Sequence, residues 1–185
     1  MIPVRDRLLD AAEQVVTRDG ISNMTLEAVA REAGVSKGGL LYHFPSKSAL
    51  VTAIVARLVV RCDDEQQHAI ETDRATAGSF TRAYLTVRTA PPKLQDQPIN
   101  TALLAAAGTD PQYLAPVRVQ LARWQARLEC DGIDPVSATI VRLAADGIAL
   151  CELLGLGVPT GDFRKQVIDK LLELTSPADC GETQT

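Results

Sequence analysis

The stretch Thr25 to Lys47, TLEAVAREAGVSKGGLLYHFPSK, gathers the side chains of this chain best suited to chemistry. The polar members that stand out are Thr25, Ser36, Lys37, Tyr42, His43 and Lys47. They do not form a nucleophile and base in sequence. What they offer is recognition of a polyanion: Tyr42 and His43 donate to phosphate oxygens, and Lys37 either reads a guanine edge or neutralises a phosphate. Lys47 opens a helix whose first amides already favour an anion. Between these groups stand Gly38 and Gly39, each costing about 1 kcal/mol of helix stability relative to Ala. Two readings of the glycines stay open: close approach of backbone to a bound duplex, or tight packing of one helix on another.

The elements that must position these groups follow from local spacing. Thr25 is an N-cap, Leu26, Val29, Ala30 and Ala33 share a face, and Gly34 stops the helix. Val35 fills the gap, Ser36 caps a second short helix to about Phe44, and Ala30 is small where two helices meet. This is the recipe of a helix-turn-helix, whose second helix fits a major groove about 12 Å wide. Leu40 and Phe44 are expected in the core; Leu41 goes either way. Pro45-Ser46 breaks the chain before a helix of about 47–73, roughly 40 Å long at 1.5 Å per residue. Further helices are expected at 4–18, 79–89, 98–107, 112–130, 135–155 and 162–174. No segment alternates with a period of two, so the fold class is all-α with about nine helices.

The net charge of −4, from 19 Lys and Arg against 23 Asp and Glu, argues at first against a nucleic-acid partner. The distribution argues otherwise: from 31 to 61 five bases face one acid, Glu32, and an acidic cluster from Asp63 to Asp73 follows. The expected organisation is a DNA-binding domain over 1–50, a regulatory and dimerisation domain over 51–176 and a flexible tail over 177–185. No run reaches the roughly 20 apolar residues of a membrane span, and the start has no uninterrupted apolar stretch, so the cytoplasm is the expected compartment and no membrane partner is expected. Cys62, Cys130, Cys151 and Cys180 stand singly, with no CxxC and no metal site expected. His43 and His68, the two histidines, lie near no Ser or Cys nucleophile in sequence, so no catalytic residues and no enzyme activity are expected.

Over residues 5–52 the chain resembles the DNA-binding domain of the tetracycline-repressor (TetR) family of bacterial regulators. Turn, aromatic pair, Phe44 and Lys47 occur together at the right spacing, with SKSAL trailing. The family pattern usually has a polar residue where this chain has Gly39, and tyrosines where it has Leu41 and His43. The resemblance implies a divergent C-terminal domain that dimerises through its last two long helices and often encloses a small-molecule pocket. It implies a regulator binding a palindromic operator on double-stranded DNA as a homodimer, a repressor released by an effector. A ligand-independent regulator or an activator of the same fold is the alternative.

The residues of the body bear on this separately. Helix 135–155 is apolar around most of its circumference and 162–174 carries a broad apolar stripe, so both suit a four-helix interface between two copies, or a monomer core. No cofactor is expected, and an unidentified effector is. Arg88 and Asp146 sit in otherwise apolar helices, Leu104 in the small-residue run TALLAAAG, and Trp124 and Arg127 share helix 112–130. These five are the candidate ligand residues, with Trp124 either a pocket wall or a core aromatic.

Overall fold

The computed structural model describes residues 2–91, 108 and 110–177. Eight α-helices occur among them: α1 Val4–Asn23, α2 Leu26–Glu32, α3 Lys37–His43, α4 Lys47–Thr72, α5 Ser79–Thr89, α6 Ala115–Glu129, α7 Pro135–Leu153 and α8 Gly161–Glu173. The expected helix over 98–107, Leu104, Cys180 and most of the tail lie outside the described residues. A 3-10 turn, Pro111–Leu114, leads into α6, with Asp110 accepting from the Gln112 amide at its start. No single helix among the described residues is long and apolar enough to cross a membrane.

The described residues form two compact units. The first holds 2–61, 108 and 110–120, the second 62–91 and 121–177.

The first unit is built on α1, α2, α3 and the start of α4. Leu8, Leu9, Ala12, Val15 and Val16 place one face of α1 against Val29, Ala30, Leu40, Phe44, Leu50 and Ile54. Each fully buried Leu or Ile in such a core contributes about 1.5–3 kcal/mol. Gly20, at φ 77°, ends the regular run of α1. Arg57 of α4 clamps α1, donating to Asp10 at 2.7 Å and from Nε to Glu13 at 2.9 Å.

The second unit packs Phe80, Tyr84 and Leu85 of α5 against Trp124 and Leu128 of α6 and Ala138, Val141 and Ala145 of α7. The cap of α5 comes from far along the chain: Asp131 accepts from the Phe80 and Thr81 amides at 3.2 and 2.7 Å. Gly78 must be glycine. Its φ is +74°, and a Cβ there would collide with the Thr175 carbonyl oxygen. Arg82 locks the same corner, donating to Asp73 at 2.7 Å and to the Thr175 carbonyl at 3.2 Å.

Candidate nucleic-acid interface

The joint between α2 and α3 is fixed by backbone chemistry. Gly34 takes φ +66°, which lets the Val35 amide reach back to the Ala30 carbonyl at 2.9 Å and its own amide reach Arg31 at 3.2 Å. These two bonds close the Schellman motif that ends α2. Ala30 is buried at this joint, and Val35 packs on the core. Arg7 of α1 adds a third tie, donating to the Ala33 carbonyl at 2.7 Å. Thr25 and Ser36 each cap a helix, accepting from the Ala28 and Gly39 amides at 3.1 Å.

With the backbone so held, α3 divides by face. Leu40 and Phe44 are buried, the Phe44 ring also facing the Arg5 guanidinium at 5.3 Å. Leu41 and Tyr42 are exposed, Tyr42 at 86%. The half-buried His43 ring stands edge-on to it at 5.1 Å. Side chains built on Gly38 and Gly39 would come no nearer than 3.9 and 3.4 Å to the Ser36 hydroxyl. Packing among the described residues of the chain therefore does not demand glycine at either position.

The two lysines are engaged. Lys37 pairs with Glu27 of α2 at 2.5 Å, both side chains more than half exposed. That hydrogen bond from the Lys37 ammonium, followed by a backbone hydrogen bond, holds the Glu27 carboxyl below its usual range. Lys47 donates to the Ser22 carbonyl at 3.0 Å and so joins the start of α4 to the end of α1. Ser46 caps α4 by accepting from the Ala49 amide at 3.0 Å.

The candidate ligand residues of the second unit have internal partners. Asp146 accepts from Tyr84 Oη at 2.8 Å, Arg88 at 3.0 Å and Arg142 at 3.2 Å. Burial, and then the Asp146 charge, pushes the Tyr84 phenol far up, so it stays a donor. Trp124 is buried and donates to Asp63 at 2.7 Å, while the Arg127 guanidinium lies 4.2 Å over the Phe80 ring. A cleft of about 550 Å³ in this unit lies away from all of them, between Arg74, Arg82, Leu172 and Thr175.

Four residues of these surroundings escape a reading of the sequence: Arg7, Glu27, Asp131 and Gln66. Gln66 is 1% exposed, and neither its Nε2 nor its Oε1 has a hydrogen-bond partner. A buried polar group left in that state costs about 1–3 kcal/mol. Its signal is the spacing Cys62-Gln66-Ile70, one polar residue in an i, i+4, i+8 row. Glu65 and His68 stand three apart, yet no group of three His, Cys, Asp or Glu able to hold an ion occurs among the described residues.

Similarity to known proteins agrees with this geometry. Residues 8–54 match the family described as bacterial regulatory proteins, tetR family, and residues 78–176, more than half of the chain, match the tetracyclin repressor-like C-terminal domain. The HTH-type transcriptional regulator SrpR of Pseudomonas putida is 36% identical over 69 residues, 37% of this chain and 29% of that protein. RutR of Escherichia coli is 42% identical over 52 residues, 28% of this chain and 24% of that protein. The matched stretch thus spans less than a third of either relative. Among solved structures, the transcriptional regulator SCO7518 of Streptomyces coelicolor superposes with TM-score 0.75 at 20% identity, covering 94% of this chain and 98% of that one. A regulator from Saccharomonospora viridis, solved in complex with choline, gives TM-score 0.69 at 22% identity, with coverages of 91% and 95%. A helix-turn-helix closed by Gly34, joined in one chain to the matching C-terminal domain, identifies the protein as a member of the tetR family of bacterial regulators.

Proposed function

We propose that the protein is a DNA-binding transcriptional regulator that grips a palindromic operator as a homodimer and acts as a repressor released by a small molecule. The observation that carries the DNA reading is the outer face of α3. A helix locked by Gly34 and two caps turns bare backbone at Gly38 and the exposed Tyr42 away from the core. Gly38 and Gly39 admit the phosphate backbone or a base edge closely, Tyr42 and His43 donate to phosphates, and Lys37 exchanges Glu27 for the duplex. Thr25 and Ser36 hold the helix ends in place, and the remaining donors of Lys47 add charge beside them.

The dimer reading rests on α7. Val136, Ile140, Leu143, Gly147, Leu150 and Leu154 fall at steps of three and four along one side. All are exposed in the single subunit, Val136 at 65%. An apolar stripe of this length is covered by a second copy through α7 and α8, where Phe163 is 64% exposed too. Two copies place two α3 helices on half-sites about one helical turn apart. The effector reading is supported by the family and by the choline held in the Saccharomonospora relative. A ligand that favours one separation of the two heads lowers DNA affinity by its preference between states.

The test is operator titration with Lys37→Ala and Tyr42→Ala beside the wild type. Each variant binds DNA more weakly and melts near the wild-type temperature. In the proposed dimer Lys37→Ala removes two charged contacts with the duplex and so also reduces the slope of log affinity against log salt by about two. A variant that melts early instead marks its residue as structural and removes this facing of α3.

A further inference from the structure

Two leucines stand side by side in α3, and their surroundings differ. Leu40 is fully buried in the core with Phe44, whereas Leu41 is 37% exposed. Leu41 follows Lys37 by four residues and Gly38 by three, so the three lie along one flank of the helix. Its neighbour Tyr42 is exposed as well. The face that the proposed complex turns to DNA thus carries one branched apolar side chain between a cation and a phenol. Leucine is short for a contact with a base. Gly38, with no side chain of its own one turn earlier, lets the helix settle close enough for Leu41 to reach.

The chemistry of the major groove selects what Leu41 can meet there. Guanine presents two acceptors, adenine an acceptor and an amino group, cytosine an amino group, and thymine an acceptor and its C5-methyl group. Only the methyl group gains from an apolar partner. Against the amino group of cytosine or adenine, leucine would displace water and return no hydrogen bond. A phosphate is served by Lys37, Tyr42 and His43 and gains nothing from leucine. The geometry points to Leu41 as the residue that reads a thymine C5-methyl group in each half-site of the operator. This rests on the DNA reading above and adds to it one base and one atom group of that base.

The test removes the methyl group from the DNA before it touches the protein. The full wild-type chain selects duplexes from a random pool, and its half-sites hold a position where thymine is preferred. Each thymine is then replaced singly by deoxyuridine, which pairs with adenine as before and lacks only the methyl group. At one position the replacement weakens binding about fourfold in one half-site and about fifteenfold in both, matching ~0.8 kcal/mol for each buried methyl group. Leu41→Ala binds the thymine duplex about tenfold more weakly and no longer distinguishes thymine from deoxyuridine at that position. Leu41→Gln keeps the bulk of the side chain and loses the same discrimination, should the alanine variant fold poorly. Leu41→Met, still apolar, retains it.

A wild type that binds its selected duplex equally well with deoxyuridine at every position overturns the inference and leaves the regulator standing. So does a preference for thymine that survives unchanged in both Leu41→Ala and Leu41→Gln, which assigns the methyl group to another side chain. A wild type that enriches no sequence from the pool removes the regulator itself, and the reading of thymine falls with it.

Discussion

At the scale of single residues, Gly38 separates stability from function. Apart from its chain neighbours and its own helix backbone, the nearest atom among the described residues to the Cβ it lacks is the Ser36 hydroxyl at 3.9 Å, so Gly38→Ala gains about 1 kcal/mol of helix propensity. In the proposed complex the same methyl group would stand between α3 and the duplex. Gly38→Ala therefore melts a few degrees higher and binds operator more weakly, as paired calorimetry and DNA titration would show. A variant that gains stability and keeps full affinity places the duplex elsewhere. Residues acting on near neighbours were legible in the sequence: Thr25, Ser36 and Ser46 cap helices three residues ahead, as their types and positions suggest. Glu27 was not, because its tie to Lys37 depends on how Gly34 folds α2 against α3. Gln66 was hidden by its setting, since α4 reads as polar after Arg61 and burial there is set by the partners it meets.

At the scale of elements, the helices themselves were legible where periodicity and breakers agree. The expectations of 79–89 and 135–155 meet α5 at Ser79–Thr89 and α7 at Pro135–Leu153. What sequence could not supply is the joinery between helices. The α5 cap, Asp131, lies about fifty residues from the amides it serves, and no local pattern links the two. The corner beside it gives two further tests. Gly78→Ala meets both a positive φ and the Thr175 carbonyl, costing on the order of 2–3 kcal/mol and lowering the midpoint measurably. Asp73 gives a pH test, because the hydrogen bond from Arg82, and then the Ala75 amide, holds its carboxyl below the usual range. Its folded pKa lies below its unfolded value, so its contribution is complete above about pH 4 and disappears as pH falls through the lowered value. Asp73→Asn removes that part of the acid dependence. An unaltered acid profile in the variant would show that the Arg82 pairing adds nothing to stability.

At the scale of the whole molecule, the resemblance carried by residues 5–52 extended to the fold of nearly the whole chain, and the apolar circumference of α7 was visible from composition. Which side of α7 faces outward was not, since Val141 and Leu143 look alike in sequence and only packing buries one and exposes the other. The stripe makes the dimer testable: Leu143→Asp yields a folded monomer by sedimentation and loses operator affinity at nanomolar protein. An unchanged dimer would move the interface off α7. The one gap in the stripe is Gly147, where an added Cβ finds nothing within 4 Å among the described residues beyond its own helix. A pair related by twofold symmetry brings some residue against its own counterpart, and the notch left by a missing side chain is where two backbones come closest. If the pair forms through α7 as proposed, cysteine introduced at Gly147 would meet its own image, and mild oxidation would weld the two copies in a single step while leaving both reading heads untouched.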